Sequence, residues 1–253
     1  MTPEQQAAAD RWQAFLDKIE ERLEAIVAEA DAGIKGIAAA HPHEILPILN
    51  ALSGLDHRVR QLLKRIEEVW DGKAGRAFGG SNRGIEMKEE STLRFNHRWQ
   101  KARTTWLADI ARAAHQDGLK ELEEPVDCSG CGAPIPRQVT GSTISITCEY
   151  CNAVNQVAPP AALRNFFHYG VDHLAEEAAL EMRHETERLR LRIETWQRAN
   201  SWAPVPSDHR QKWEAMQRAH LQRQANEKAR LLGRPVNQDW VESRMKLSVA
   251  HEF

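Results

Sequence analysis

The sequence predicts a mainly α-helical protein: long amphipathic helices, arranged as an antiparallel helical hairpin or coiled coil, with one small β zinc ribbon inserted between them. Three observations carry this. Apolar residues recur at spacings of three and four over most of the chain. Glycine and proline number only 14 and 11 in 253 residues and mostly punctuate the periodic stretches. All four cysteines fall between positions 128 and 151, which leaves none for a distributed disulfide framework.

Thr2 as N-cap, Pro3 at the first helical position and Gln5 three residues after Thr2 form a helix start. Trp12, Phe15, Ile19, Leu23, Ile26 and Ala30 then share a stripe until Gly33 offers a stop, for a helix about 45 Å long. Ile45, Ile48, Leu52, Leu55, Val59, Leu62, Ile66 and Val69 follow at 3-4-3-4-3-4-3, a heptad seam that predicts a left-handed coiled-coil contact. Pro47 must lie in its first turn, and Gly54 weakens its middle. The run from Asp71 to Gly84 holds five glycines with Lys73, Arg76 and Arg83. It reads as a flexible loop rather than a phosphate cradle, because it lacks a Gly-Lys-Ser/Thr ending and a preceding strand.

Phe95, Trp99, Ala102, Trp106, Ile110 and Ala113 make a third stripe ending near Gly118, expected to lie antiparallel to the heptad helix with its tryptophans in the core. Beyond the cysteines, Pro159 and Pro160 open a helix reaching about Asn200, with Leu163, Phe167, Val171, Leu174, Ala178, Leu189, Ile193 and Trp196 inward. Pro204 and Pro206 break the chain, Ser207 and Asp208 restart it, and Gly233 with Pro235 stops it before a last helix after Asn237. The expected divisions are a helical bundle over 1–124, a ribbon over 125–158 and a helical arm over 159–253.

Cys128-Ser-Gly-Cys131, sixteen residues and Cys148-Glu-Tyr-Cys151 form two hooks that present four thiolates to one zinc ion. Gly132 and Asn152 each follow a hook, where a turn with positive φ is needed and both residue types tolerate it. Thr143 to Cys148 alternates as a strand, with Pro134 to Val139 as its partner and Gly141 at the turn. Cys-x-x-Cys-Gly-Ala-Pro-Ile at Cys128 to Ile135 resembles a common bacterial zinc-ribbon opening. That resemblance covers about thirty residues and implies a fold, not an activity. Four cysteines leave no open coordination position, so the ion is expected to be structural, and the helix context that activates redox Cys-x-x-Cys pairs is missing.

His173, Glu177, Glu181 and His184 share one helix face, and Glu181-Met-Arg-His184 matches the Glu-x-x-His element of carboxylate-bridged metal bundles. No second copy exists, which favours a solvated polar face. His41 and His43 flank a proline near a helix start, where capping or exposure explains them. The net charge of -2 gives no whole-protein case for nucleic acid, yet Arg183 to Arg234 carries twelve Lys or Arg against six acids. No stretch approaches the about 18 apolar residues of a membrane span, and the N-terminus does not resemble a signal peptide, so a soluble cytoplasmic protein is expected. The functional expectation is a non-enzymatic, zinc-stabilised scaffold or adaptor that contacts a protein partner or itself through helical seams. The alternatives are a nucleic-acid-associated ribbon regulator using the basic arm, and a metalloenzyme at His173 to His184. The order of a helical hairpin before a four-cysteine finger is similar to the secondary-channel regulators of RNA polymerase, from which the inter-hook strand and the long arm depart.

Overall fold

The computed structural model describes residues 1–42, 44–79 and 81–252, with 251 and 252 by backbone alone; His43 and Gly80 lie outside the described residues. The architecture is mainly helical, with two small two-stranded antiparallel sheets around the cysteines.

α1 (Pro3–Ala40) opens on the expected capping box, in which the Gln5 N–H donates to Thr2 at 3.2 Å and the Thr2 N–H to Gln5 at 3.0 Å. Contrary to expectation it does not stop at Gly33. Ile34 is buried and Ile37 packs on the same core, so the continuing apolar stripe outweighs the roughly 1 kcal/mol helix cost of each of Gly33 and Gly36. His41 is exposed and caps the end, its N–H donating to Ile37.

α2 (Leu46–Val69) carries Pro47 in its first turn and passes through Gly54 unbroken. Its seam is used inside the chain. Ile45, Ile48, Leu52, Val59 and Ile66 are buried, and Leu55, Leu62 and Val69 pack on the same core with residues of α1 and α3 (Asn82–Glu121). The three helices form an up-down-up bundle that includes the expected antiparallel pairing of α2 with α3. Arg58 pairs with Glu29 and Trp12 meets Trp70, which sets α1 against α2. The Trp99 N–H donates to Asp56 at 2.7 Å and the Trp106 N–H to Asp31 at 3.1 Å, which run α3 antiparallel to α2 and parallel to α1.

The segment expected to be a flexible loop is an ordered corner. Trp70–Ala74 forms a π turn and Gly75–Phe78 a 3-10 turn, and the Trp70 and Phe78 rings stack at 5.5 Å, both buried in the bundle. Two of its glycines, Gly75 and Gly84, serve close approach: a Cβ on Gly84, already inside α3, would lie 2.7 Å from Phe78 Cβ.

After the ribbon, α4 (Ala161–Asn165) passes through a second π turn (Phe166–Gly170) into α5 (Val171–Ala199). The extra residue of that turn shifts the stripe, so Phe166 rather than Phe167 is the buried ring. α5 lies antiparallel along α3. α6 (Ser207–Leu232) returns along α5 after a turn in which Ser201 and Trp202 have positive φ, and α7 (Gln238–Glu252) packs on α6 through Leu221, Ala225, Val241 and Met245. Gly233 closes α6 in the left-handed conformation, as expected.

Two glycines predict opposite responses. At Gly118 a Cβ would sit 2.6 Å from Leu163 Cγ and 2.8 Å from the Leu163 backbone nitrogen, whereas at Gly36 nothing lies within 4 Å. Gly118→Ala is expected to destabilise by about 1–3 kcal/mol despite alanine's helix propensity, and Gly36→Ala to stabilise by up to about 1 kcal/mol. Urea unfolding of both variants checks the pair; the same sign at both positions would rule out the close α3–α4 approach.

Candidate metal centre

Each hook closes its own hairpin. β1 (Val126–Asp127) pairs with β2 (Pro134–Ile135) across the first, and β3 (Ile144–Thr147) with β4 (Val154–Val157) across the second. This corrects the expected pairing of Pro134–Val139 with the strand before Cys148. The reason is local: the hook itself supplies the tight reversal, so the residues between hooks are free to act as a connection. Gly141 lies in that connection and packs against Phe167 of the second π turn, where a Cβ would stand 2.7 Å from Phe167 Cβ.

The two hooks have matching backbones. Cys128 N–H donates to Ala133 at 2.8 Å and Gly132 N–H to Cys128 at 2.9 Å; Cys148 N–H donates to Ala153 at 2.9 Å and Asn152 N–H to Cys148 at 2.9 Å. Gly132 and Asn152 take φ of 73° and 58°, the positive values their residue types anticipate. The outcome is convergence of Cys128, Cys131, Cys148 and Cys151, whose sulfurs all lie within 4.8 Å of one another. Cys128–Cys151 at 3.5 Å and Cys131–Cys148 at 3.7 Å are far longer than a disulfide and close to the about 3.8 Å sulfur–sulfur edge of a tetrahedron with 2.3 Å metal–sulfur bonds.

Electrostatics point the same way. The Gly130 N–H, helped by the Cys131 N–H and the Asn155 amide, holds the Cys128 thiol down to about 6. At Cys151 the Ala153 N–H pulls downward, but the crowding Cys131 and Cys128 sulfurs prevail and push it up to about 12. Four sulfurs converging this closely fit the donor set of a metal ion.

One residue that the sequence did not single out braces this cage. Asn155 on β4 is buried; its carbonyl accepts from the Ser129 N–H at 2.8 Å and hydroxyl at 2.9 Å, while its amide donates to Ala153 at 3.0 Å and lies 3.5 Å from Cys128 Sγ. It thereby links the two hooks. The sequence carried no signal for it, because Val154-Asn155-Gln156-Val157 does not alternate; the pleat of β4 turns Asn155 inward with Val157. Asn155→Ala is expected to weaken metal affinity about 10–100-fold with the ribbon still folding in excess metal. Competition with a chromogenic chelator measures this, and an unchanged affinity would remove Asn155 from the site.

The second candidate set does not assemble. Glu177 is held by Arg112 at 2.6 Å, Glu181 lies 3.5 Å from Lys101, and His184 stacks on His97 with ring centres 3.9 Å apart and Nε2 3.2 Å from Gln100. Burial lowers the pKa of half-buried His173. Among the described residues, the four cysteines are the group of His, Cys, Asp or Glu side chains close enough to share an ion. The same contacts expose pairings the sequence left unread: His97 donates to Glu187 at 2.6 Å and Arg198 pairs with Glu89 at 2.5 Å, fastening α5 to α3, while Arg183 donates to Glu187 at 3.0 Å and to Glu176 at 3.2 Å within α5.

The basic stretch is widely ion-paired. Besides Arg183 and Arg198, Arg210 meets Glu214, Arg218 meets Glu242, Lys228 meets Asp172 and Arg230 meets Glu227. Among the described residues, no helix is long and apolar enough to cross a membrane.

No family model, curated protein or solved structure matches this chain. Its reading therefore rests on its own residues.

Proposed function

We propose that this protein is a zinc-stabilised helical scaffold or adaptor that acts through protein–protein contact and has no catalytic step of its own. Zinc is the reading of a tetrahedral four-sulfur donor set, and four thiolates leave the ion without an open position for substrate or water, which assigns it a structural role. The observation that carries the contact role is on the ribbon surface. Tyr150, between the cysteines of the second hook, is 77% exposed, Val154 is 63% exposed and Val139 60%. Large apolar side chains held outward on a metal-braced platform have the composition of an interface core. The ion pairs along Arg183 to Arg234 support the same reading, since cations already matched by acids release few counterions to a phosphate backbone.

Native mass spectrometry with metal quantification on the full chain tests the proposal. One zinc per chain, in an oligomer or with a bound protein that Tyr150→Ser and Val154→Ser release, is the expected result. Monomers retaining nucleic acid in a salt-sensitive manner, or holding iron or manganese beyond one zinc, would overturn it.

A further inference from the structure

The corner that closes the helical bundle also closes a cavity. α1 contributes Glu4, Ala8, Arg11, Trp12 and Phe15; the end of α2 contributes Val69; and the π and 3-10 turns contribute Lys73, Ala74, Arg76 and Ala77 around a volume of about 530 Å³. That lies within the about 300–1,000 Å³ range of small-molecule sites. The apolar side is built from the Trp12 ring, which is 3% exposed and stacked with Phe15 at 5.4 Å, together with Ala8, Val69, Ala74 and Ala77. The Trp12 indole N–H is buried without a hydrogen-bond partner in the protein.

The charges around this floor are distributed unlike those elsewhere in the bundle. Arg58, Arg94 and Arg98 all reach across to glutamates of α1. Arg11, Lys73 and Arg76 are exposed, and among the described residues none of the three makes an ion pair or side-chain hydrogen bond. They stand around one apolar cavity with Glu4 as the single lining acid, an excess of two positive charges beside a helix that is otherwise acidic. The backbone is specialised at the same point. A π turn passes directly into a 3-10 turn, and Gly75 is needed there because a Cβ would stand 2.6 Å from Trp70 Nε1. Such helix irregularities recur at functional sites.

We infer that this corner binds a small amphipathic organic anion, a single acidic head on a flat apolar body. The body lies on Trp12 and Phe15, and the head is met by Arg11, Lys73 and Arg76. Guanidinium groups suit the head because they offer paired N–H donors to a carboxylate. The site lies on the helical bundle, so it stands independently of the ribbon's contact role.

Isothermal titration of the full chain at low salt with 2-naphthoate, 2-naphthalenemethanol and 2-naphthylmethylamine tests the inference. Saturable binding of one naphthoate per chain is expected, with the neutral alcohol at least about tenfold weaker and the amine not bound. The triple variant Arg11→Gln/Lys73→Gln/Arg76→Gln should lose about tenfold or more in naphthoate affinity while melting as wild type, because these side chains hold no internal partner. Arg58→Gln, a cation change elsewhere on the bundle, should bind as wild type. Non-saturating uptake, equal binding of alcohol and acid, or full affinity in the triple variant would each overturn it.

Discussion

Cys148→Ser is expected to abolish stoichiometric metal binding and unfold the segment from Val126 to Val157. The ribbon's own core consists of Cys128, Ile135, Cys148 and Val157 with five partly buried neighbours, far too little apolar burial to offset the ordering of some thirty residues. Metal must supply the difference, and structural zinc in small fingers contributes about 10–16 kcal/mol of apparent folding energy. Serine in place of one thiolate removes a charged donor from a site whose four sulfurs lie close enough to share one ion. The helical cores centred on Ile48, Leu52 and Leu107 draw on none of these residues. The variant should therefore keep most of its far-ultraviolet helical signal and lose hydrogen-exchange protection in β3 and β4. The ribbon's contact with the helices, Gly141 against Phe167, should loosen with it. Metal quantification with residue-resolved exchange decides the matter; full zinc content with protected β3 and β4 amides would contradict it.

Acidification below neutrality should destabilise the junction of α3, α5 and α6. His184 lies buried against the face of His97, and His220 of α6 is 7% exposed with neither ring nitrogen bonded within the protein. Burial foremost pushes both imidazoles down to about 4, with His97 adding to the effect on His184 and Arg183 to that on His220. Glu187 and, for His184, Glu181 pull the other way and are outweighed. The unfolded chain takes up these protons near pH 6.5, so stability is full above that value and falls as pH drops from 6.5 to 4. For Glu187, burial would raise the carboxyl, but His97 and Arg183 prevail and hold it at about 2. Its contribution is present above pH 4.5 and is lost between 4.5 and 2.

The histidine displacements are worth about 3 kcal/mol each at their limit. Urea unfolding is expected to lose about 3–4 kcal/mol between pH 7 and pH 5, with metal content followed so that metal release is separated from this effect. His220→Leu replaces an imidazole without hydrogen bonds and should flatten that limb and raise stability at pH 5. An unaltered slope in His220→Leu would show that the burial of this side chain is not what couples the junction to protons.

Much of this was legible before any coordinates. Thr2, Pro3 and Gln5 specify a helix start through atoms within one turn, and Gly233 specifies a stop through its own φ. The two hooks with Gly132 and Asn152 specify a four-sulfur cage because each hook is closed by hydrogen bonds spanning four or five residues. The tryptophan stripe of α3 reads correctly at Trp99 and Trp106, which its spacing places inward, but not at its end, where Ala113 is exposed and Ala111 and Ala114 are buried instead. The two errors over glycine share one cause. Gly33 and the glycine-rich corner look like breaks only to a reader who weighs propensity without the contacts that Ile34, Trp70 and Phe78 make.

What the sequence by itself determined is therefore what short-range chemistry controls: helix identity, most caps, most of the inward stripes and the convergence of the four cysteines. Only the tertiary structure decided that the heptad seam is covered by α1 and α3, that each hook closes its own hairpin, and that Asn155 spans the two hooks. It likewise decided that His97 meets Glu187, and that Arg11 faces Lys73 and Arg76 across an apolar floor. Those outcomes join residues up to ninety positions apart. Periodicity fixes which face of a helix is apolar, but the partner of that face depends on which packing buries the most surface across the whole chain.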